Sequence, residues 1–252
     1  MVCMRLIYNF QTFSGWSTAM MKTLHEYFLN HLYRLALVAM LAIVTLFSIV
    51  LVRVRLSEND GTHYSYLFLI RNLLLAWIPL LVALITESLI RTCRMFYFIF
   101  PLGCLIWLIC LPNAPYLLTD FQHLRLYSGS PKIWFDVIMV IWVAFTGLFL
   151  GLVSLYVMHR LVKRQFGRTV GWAFVCTAAL LSSVGIYIGR FLRFSSWNIL
   201  LTPSALADDL LKETVDSGSR ILGFVSLYTL FFVFIYITFY VFGNVLHEDS
   251  RE

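Results

Sequence analysis

Six long apolar runs most restrict what this chain can fold into. They lie at about residues 35–52, 67–85, 95–111, 133–157, 170–188 and 221–246. A run of roughly 20 apolar residues is long enough to cross a bilayer as a helix. Lipid offers no hydrogen bonds to the backbone, so such runs must satisfy their own peptide groups as helices. The pattern predicts an all-α integral membrane bundle of about six transmembrane helices.

The composition supports a membrane protein and argues against other classes. Of the 252 residues, 60% are hydrophobic and 13% are charged, whereas soluble domains are about 45–50% apolar and about 25% charged. The formal net charge is +6, but the basic residues stand in short loops between apolar runs. Topology and lipid headgroups explain such charges. We therefore expect membrane lipids as partners and no nucleic acid.

The chain divides into a short N-terminal segment, a membrane domain and a tail. We assign residues 1–32 to a cytoplasmic or interfacial segment, residues 33–246 to the transmembrane domain and residues 247–252 to a C-terminal tail. Apolar residues of 204–215 recur on one helical face, which predicts an interfacial amphipathic helix before the last span. Residues 112–132 and 158–169 are predicted loops.

Six spans place both termini on the same side as the loop 158–169. That side carries ten Lys and Arg residues against eight on the other, and the loop contains four of the ten with no acid. Positive residues favour the cytoplasmic side. We expect the termini in the cytoplasm, with the loops 53–66, 112–132 and 190–220 at the extracytoplasmic face.

The stretch LPNAPYLLTDFQHL, residues 111–124, is the densest in groups that bend backbone, hydrogen-bond or titrate. Asn113, Pro115 and Tyr116 predict a rigid turn, since the residue before a proline is pushed toward extended conformation. The turn indicates either a broken segment that lines a ligand site or a sharp helix end.

Asp120 and His123 are three residues apart and would share the face of a helical turn. One interpretation is an acid/base pair in which the carboxylate orients the imidazole. The other is local capping and an interfacial histidine. The chain lacks the histidine spacing of metal sites, so we expect no metal and no cofactor.

Four further charges stand at or near the predicted membrane depth: Arg71, Asp136, Arg190 and Arg193. Such charges are costly and are usually paired or functional. Arg71, Arg190 and Arg193 could bind a phosphate or carboxylate, and Asp136 could join Asp120 and His123 in proton chemistry. The alternative is that they form salt bridges that fasten helices. Trp197 and Asn198 would line the same site.

Small residues form two helical stripes. Gly147 and Gly151 lie on the fourth span, and Ser182, Gly185 and Gly189 lie on the fifth. Small residues at spacings of three and four permit close helix contact in membranes. We expect both stripes to be packing faces.

Three blocks of the sequence resemble a known family. They are RNLLLAWIP (71–79), the stretch 111–124, and GRFLRFSSWN (189–198). Together they are similar to the bacterial membrane family called domain of unknown function 1361, over about residues 65 to 245. The resemblance implies a multi-pass protein of the bacterial cytoplasmic membrane, and it implies no established activity.

These features lead to one hypothesis and two rivals. The hypothesis is a polar site at the extracytoplasmic interface that binds or modifies an anionic lipid or a lipid-linked envelope substrate, with enzymatic activity left open. The first rival is a small-solute transporter, which would place polar residues near the midplane on broken helices. The second is a structural or assembly protein in which the polar residues only lock the bundle.

Overall fold

A computed structural model of the protein describes residues 32–57, 66–90, 92–127, 132–192 and 203–249. These residues are almost entirely helical and contain no strand, and six helices are long and apolar enough to span a membrane. The prediction of an all-α membrane bundle with six spans is confirmed. The chain forms two compact units, Met1–Leu46 and Phe47–Glu252, and the features below belong to the second.

The helices follow one another with short connections. We number them α1 (Leu32–Ser57), α2 (Leu67–Leu89), α3 (Cys93–Cys110), α4 (Asn113–Tyr116), a 3-10 helix (Leu117–Tyr127), α5 (Ile133–Phe166), α6 (Arg168–Tyr187), a π-helical segment (Ile188–Leu192) and α7 (Pro203–Asp249).

The centre of the second unit is α5. It is 34 residues long and buries much of its surface, because apolar side chains emerge on several of its faces. Leu152, Leu155 and Met158 belong to a core that also contains Trp107 of α3 and Phe232 of α7. A helix that is apolar all round is expected in the interior of a bundle.

Three predicted boundaries are wrong, in each case because helix continues through polar sequence. The predicted loop 158–169 is helical up to Phe166, and Gly167 alone separates α5 from α6. Most of the predicted loop 112–132 is α4 and the 3-10 helix. The predicted amphipathic helix 204–215 and the last span form one continuous helix, Pro203–Asp249, without the predicted break between them.

Gly167 can serve as a one-residue connection because of its backbone conformation. Its φ is +88°, a region that residues with a side chain rarely adopt. Its N–H still donates to the Lys163 carbonyl at 3.0 Å. The chain therefore reverses direction between two long helices without a loop.

Gly147, Gly151 and Gly185 of the two stripes are packing positions, as predicted, whereas Gly189 lines a cavity. A Cβ atom placed on Gly147 would collide with Leu117 and lie 2.7 Å from the Ala114 carbonyl oxygen, and one on Gly185 would lie 2.6 Å from Pro112 Cγ. The two faces thus belong to α5 and α6, and both receive the proline-containing segment that follows α3. Absence of side chains lets this segment lie between the two helices.

A second polar region lies near the C-terminal end of α5. His159 is buried, and its Nδ1 is 2.6 Å from the Tyr236 hydroxyl. Lys163 donates to the Tyr240 hydroxyl at 2.9 Å, and the Trp172 ring packs 5.1 Å from those of His159 and Tyr240. We call these five residues the aromatic cluster. Beside it, Arg160 forms an ion pair with Glu87 of α2.

Candidate functional site

A cavity opens at the opposite end of the bundle, where the N-terminal part of α2, the 3-10 helix and the π-helical segment meet. Its volume is about 340 Å³. Its walls are formed by Phe68, Arg71, Asn72, Tyr116, Asp120, Gln122, His123, Gly189 and Arg190. These residues come from three distant parts of the sequence, and all but Phe68 and Gly189 carry polar groups.

Arg190 is the centre of the hydrogen-bond network in this cavity. Its Nη2 donates to Asp120 Oδ1 at 2.6 Å and its Nε donates to Thr119 Oγ1 at 2.9 Å. The Arg190 side chain is only 8% exposed and that of Asp120 is 1% exposed. Such a charge-assisted pair is strong where water is excluded. Each charge needs the other, because neither has bulk solvent to stabilise it.

The remaining donors of Arg190 are also directed at the protein. Nη1 donates to His123 Nε2 at 3.2 Å. Gln122, with its amide oxygen facing the guanidinium, accepts from Nη1 at 3.0 Å. The guanidinium carbon lies 4.6 Å from the centre of the Tyr116 ring, a cation–π distance. All three nitrogens of Arg190 therefore have acceptors within the protein.

His123 is held by Arg190 rather than by Asp120. The distance from its Nε2 to Asp120 Oδ1 is 4.0 Å, which is too long for a hydrogen bond. An arginine can only donate, so Nε2 must be the acceptor and the imidazole proton must sit on Nδ1. His123 is thus a neutral donor in this arrangement, and the carboxylate does not orient it directly.

Asp120 has a second partner on α2. Asn72 Nδ2 donates to Asp120 Oδ2 at 3.4 Å, so each carboxylate oxygen accepts a hydrogen bond. Asp120 thereby links α2 to the π-helical segment that carries Arg190. The negative charge in the cavity wall is fully engaged by its neighbours.

Arg71 differs from Arg190 in both exposure and bonding. It lies one turn into α2, it is exposed, and it lines the cavity. Its guanidinium makes no hydrogen bond or ion pair with any residue in the described ranges. With Asp120 and Arg190 balancing each other and His123 neutral, Arg71 gives the cavity wall a net positive charge.

Local backbone geometry explains why these side chains converge. A 3-10 helix has about three residues per turn, so residues i and i+3 stand above one another. Asp120 and His123 form one such column, and Thr119 and Gln122 form the next. Both columns face Arg190, which emerges from a π-helical turn. Turns of that kind are frequent at functional sites.

The 3-10 helix is preceded by α4, which is held in place by contacts with α5 and α7. Ala114 and Pro115 are buried against the glycine faces described above, and the Tyr228 hydroxyl of α7 donates to the Pro115 carbonyl oxygen at 2.6 Å. Pro115 thus contributes to the support of the site and not to its lining. The chain after α3 is divided into α4 and the 3-10 helix, and of the three predicted turn residues Tyr116 lines the cavity.

Comparison with known proteins identifies the family. The model of the family described as protein of unknown function (DUF1361) matches residues 71–240. This chain belongs to the DUF1361 family. Neither a curated protein nor a solved structure matches this chain. The matched region of this DUF1361 protein begins at Arg71 and contains every cavity residue except Phe68.

Asp136 does not reach the cavity of the DUF1361 protein. Arg55 Nε donates to Asp136 Oδ1 at 2.6 Å, and both side chains are almost fully buried. The Tyr66 ring lies 6.0 Å from the same guanidinium. The structure therefore places Asp136 in a separate ion pair between α5 and the end of α1, apart from Asp120 and His123.

The other predicted site residues fall into three groups. Arg71, Tyr116, Asp120, His123 and Arg190 meet at the cavity. Asn113 and Pro115 of α4 are outside the lining. The last group lies outside the described residues and comprises Arg193, Trp197 and Asn198.

Sequence reasoning missed five contributors to the DUF1361 site: Phe68, Asn72, Thr119, Gln122 and Gly189. Asn72 directly follows Arg71, and Thr119 and Gln122 repeat the three-residue spacing of Asp120 and His123. That repeat was a usable signal, since a 3-10 helix turns both pairs toward one neighbour.

Proposed function

We propose that the cavity binds the anionic group, phosphate or carboxylate, of a lipid or lipid-linked envelope substrate at the extracytoplasmic face of the bacterial cytoplasmic membrane. The termini would then lie in the cytoplasm. The observation that carries this proposal is Arg71, an exposed guanidinium on the cavity wall that forms no ion pair with a carboxylate in the described residues.

The charge pattern favours an anion over a cation or a neutral solute. Asp120 is the only carboxylate among the described lining residues, and it already accepts from Arg190 and Asn72. The charged group that remains available is the Arg71 guanidinium, and the imidazole N–H of His123 is a further donor beside it. Planar guanidinium groups match the geometry of phosphate and carboxylate oxygens.

The size of the cavity suits a headgroup. Small-molecule sites commonly occupy about 300–1,000 Å³, and this cavity of about 340 Å³ lies at the lower limit. A phosphate ester with a small polar substituent would fill it. The chains of a lipid would have to lie elsewhere.

The geometry supports binding more than acid/base chemistry. A carboxylate that orients a catalytic histidine should hydrogen-bond to the ring, but here Asp120 and His123 both accept from Arg190. Arg190 would hold His123 in the tautomer that donates Nδ1–H. In this proposal Arg71 and His123 contact the ligand, and Arg190 positions His123.

Titration with a short-chain anionic lipid tests this proposal. We would purify the protein in a neutral detergent and titrate dioctanoyl phosphatidate while measuring the midpoint of thermal unfolding. Arg71→Gln should weaken the apparent affinity at least tenfold, because one charge-assisted contact contributes about 1.5–3 kcal/mol. Arg71→Lys should lose less, since it keeps the charge.

Arg53→Gln is the matched control. Arg53 is an exposed arginine near the C-terminal end of α1, so its replacement removes the same charge without touching the cavity lining. An unchanged affinity in Arg71→Gln, or an equal loss in Arg53→Gln, would contradict a specific anion site.

One observation favours a second function, that of a structural lock. Asp120 and Arg190 are buried and bond to each other, to α2 and to the 3-10 helix. If locking were the whole function, Arg71→Gln would be silent in every assay. Complementation of a deletion strain, with envelope lipid profiling and measurement of protein abundance, separates the two: the lock predicts that phenotype follows abundance alone.

A further inference from the structure

Arg71 occupies a boundary on the surface of α2. With about 100° between successive residues of an α-helix, Leu67, Leu74 and Ile85 fall within a narrow strip on one face. Arg71 lies at the edge of that strip, and Phe68 and Asn72 follow it around the helix toward the buried side. The cavity wall on α2 therefore begins where the exposed face ends.

The strip is strongly exposed and apolar. Leu67, Leu74, Leu81 and Ile85 have between 48% and 56% of their surface accessible. In a membrane helix such a face contacts hydrocarbon. Arg71 thus stands in a row of lipid-facing residues, where an arginine is costly unless it finds a polar partner. The polar space next to it is the cavity.

From this arrangement we infer that the cavity opens sideways into the bilayer at Arg71 and that its ligand is a membrane lipid. The anionic headgroup enters past Arg71, and a hydrocarbon chain lies along Leu74, Leu81 and Ile85 of α2. This inference rests on the proposed anion site and adds the class of ligand and its route.

The dimensions of α2 fit this arrangement. Ile85 is 14 residues beyond Arg71, about 21 Å along the axis at a rise of about 1.5 Å per residue. One leaflet contributes about half of a hydrocarbon core of roughly 30 Å. The apolar strip is therefore long enough to contact a chain throughout its own leaflet.

Photo-crosslinking tests the route. The protein would be reconstituted in phosphatidylcholine nanodiscs with a small fraction of phosphatidate carrying a diazirine in its acyl chain, and labelled peptides would be mapped by mass spectrometry. We expect labelling of residues 74–85 to exceed at least fivefold that of α3 around Leu102, whose side chain is at least as exposed as those of the α2 strip. Arg71→Gln should reduce the α2 signal to the α3 level.

Competition distinguishes the route from the site. Long-chain phosphatidate should displace the probe at least tenfold more effectively than glycerol 3-phosphate. Equal displacement by the soluble ester, or equal labelling of α2 and α3, would overturn lateral entry while leaving an anion site in place. Absence of displacement by either anion would instead refute the anion site itself.

Discussion

The two polar regions of the bundle use similar residue types and reach different results. In the aromatic cluster, the Lys163 ammonium donates to Tyr240 and rings pack around His159. At the cavity, Arg190 is similarly engaged, but Arg71 faces open space. Histidine near cations and tyrosines does not by itself indicate a binding site. The cavity differs from the aromatic cluster because an exposed charged side chain, Arg71, stands beside space that a ligand can enter.

The largest loss of stability is expected when the buried ion pair of Asp120 and Arg190 is broken. Asp120→Asn leaves the buried Arg190 without its counter-ion, and loss of one partner of a buried pair typically costs about 3–5 kcal/mol. We expect a lower thermal unfolding midpoint in detergent and lower abundance in membranes. The double variant with Arg190→Gln should recover part of the loss, since neither charge is then alone. Wild-type stability of Asp120→Asn would show that the pair is no lock.

The next largest loss of stability is expected at Gly147, where α5 packs against the segment that supports the cavity. Gly147→Ala places a methyl group against Leu117 and the Ala114 carbonyl, and overpacking of this kind costs about 1–3 kcal/mol. Gly223→Ala is the control, because nothing lies within 4 Å of a Cβ atom there. Thermal unfolding of both variants measures the difference. Equal unfolding midpoints would mean that α5 and the proline-containing segment are loosely packed and can accommodate a methyl group.

A smaller effect is expected in the aromatic cluster. Tyr236→Phe removes the hydroxyl bonded to His159, and a hydrogen bond of this type contributes roughly 1 kcal/mol. The unfolding midpoint should fall slightly while phosphatidate affinity stays unchanged. A shift in affinity would show that the two polar regions are coupled and would weaken the distinction between them.

The smallest effect on stability belongs to Arg71→Gln. Exposed substitutions away from packed features usually change stability by less than about 0.5 kcal/mol, so the unfolding midpoint without ligand should match that of the wild type. The stabilisation by phosphatidate should be lost. Arg71→Gln and Asp120→Asn would then separate ligand binding from bundle integrity within one cavity. Marked instability of Arg71→Gln would instead indicate that Arg71, like Asp120 and Arg190, stabilises the packing of the bundle.

Much of the fold followed from the sequence because the bilayer imposes it. The six apolar runs predicted six spanning helices, and the small residues at 147, 151 and 185 predicted close contacts that the structure contains. Helix ends were harder to predict. Polar residues such as Arg160 and Lys163 indicated a loop, yet the buried Leu161 and Val162 between them keep this part of α5 helical and packed.

The least predictable property of the candidate site was which charged side chain bonds to which partner. Sequence spacing indicated that Asp120 and His123 share a face, but Arg190 separates them in function by bonding to both. Asp136 was grouped with them because it lies at the same bundle end, and Arg55 was regarded as a loop charge. Which cation meets which carboxylate depends on helix packing between distant segments, which one sequence does not encode in a local pattern.

The one-residue connection at Gly167 has a consequence for depth. α5 ends and α6 begins at Gly167, so the number of residues between Gly167 and a position on either helix compares distances along the bundle. Asp136 is 31 residues away and Arg190 is 23 residues away. For straight helices with a rise of about 1.5 Å per residue, the backbone at Asp136 would be about 12 Å farther from Gly167 than the backbone at Arg190. The polar end would then have two levels, with the sealed ion pair of Asp136 farther from Gly167 and the cavity nearer to it.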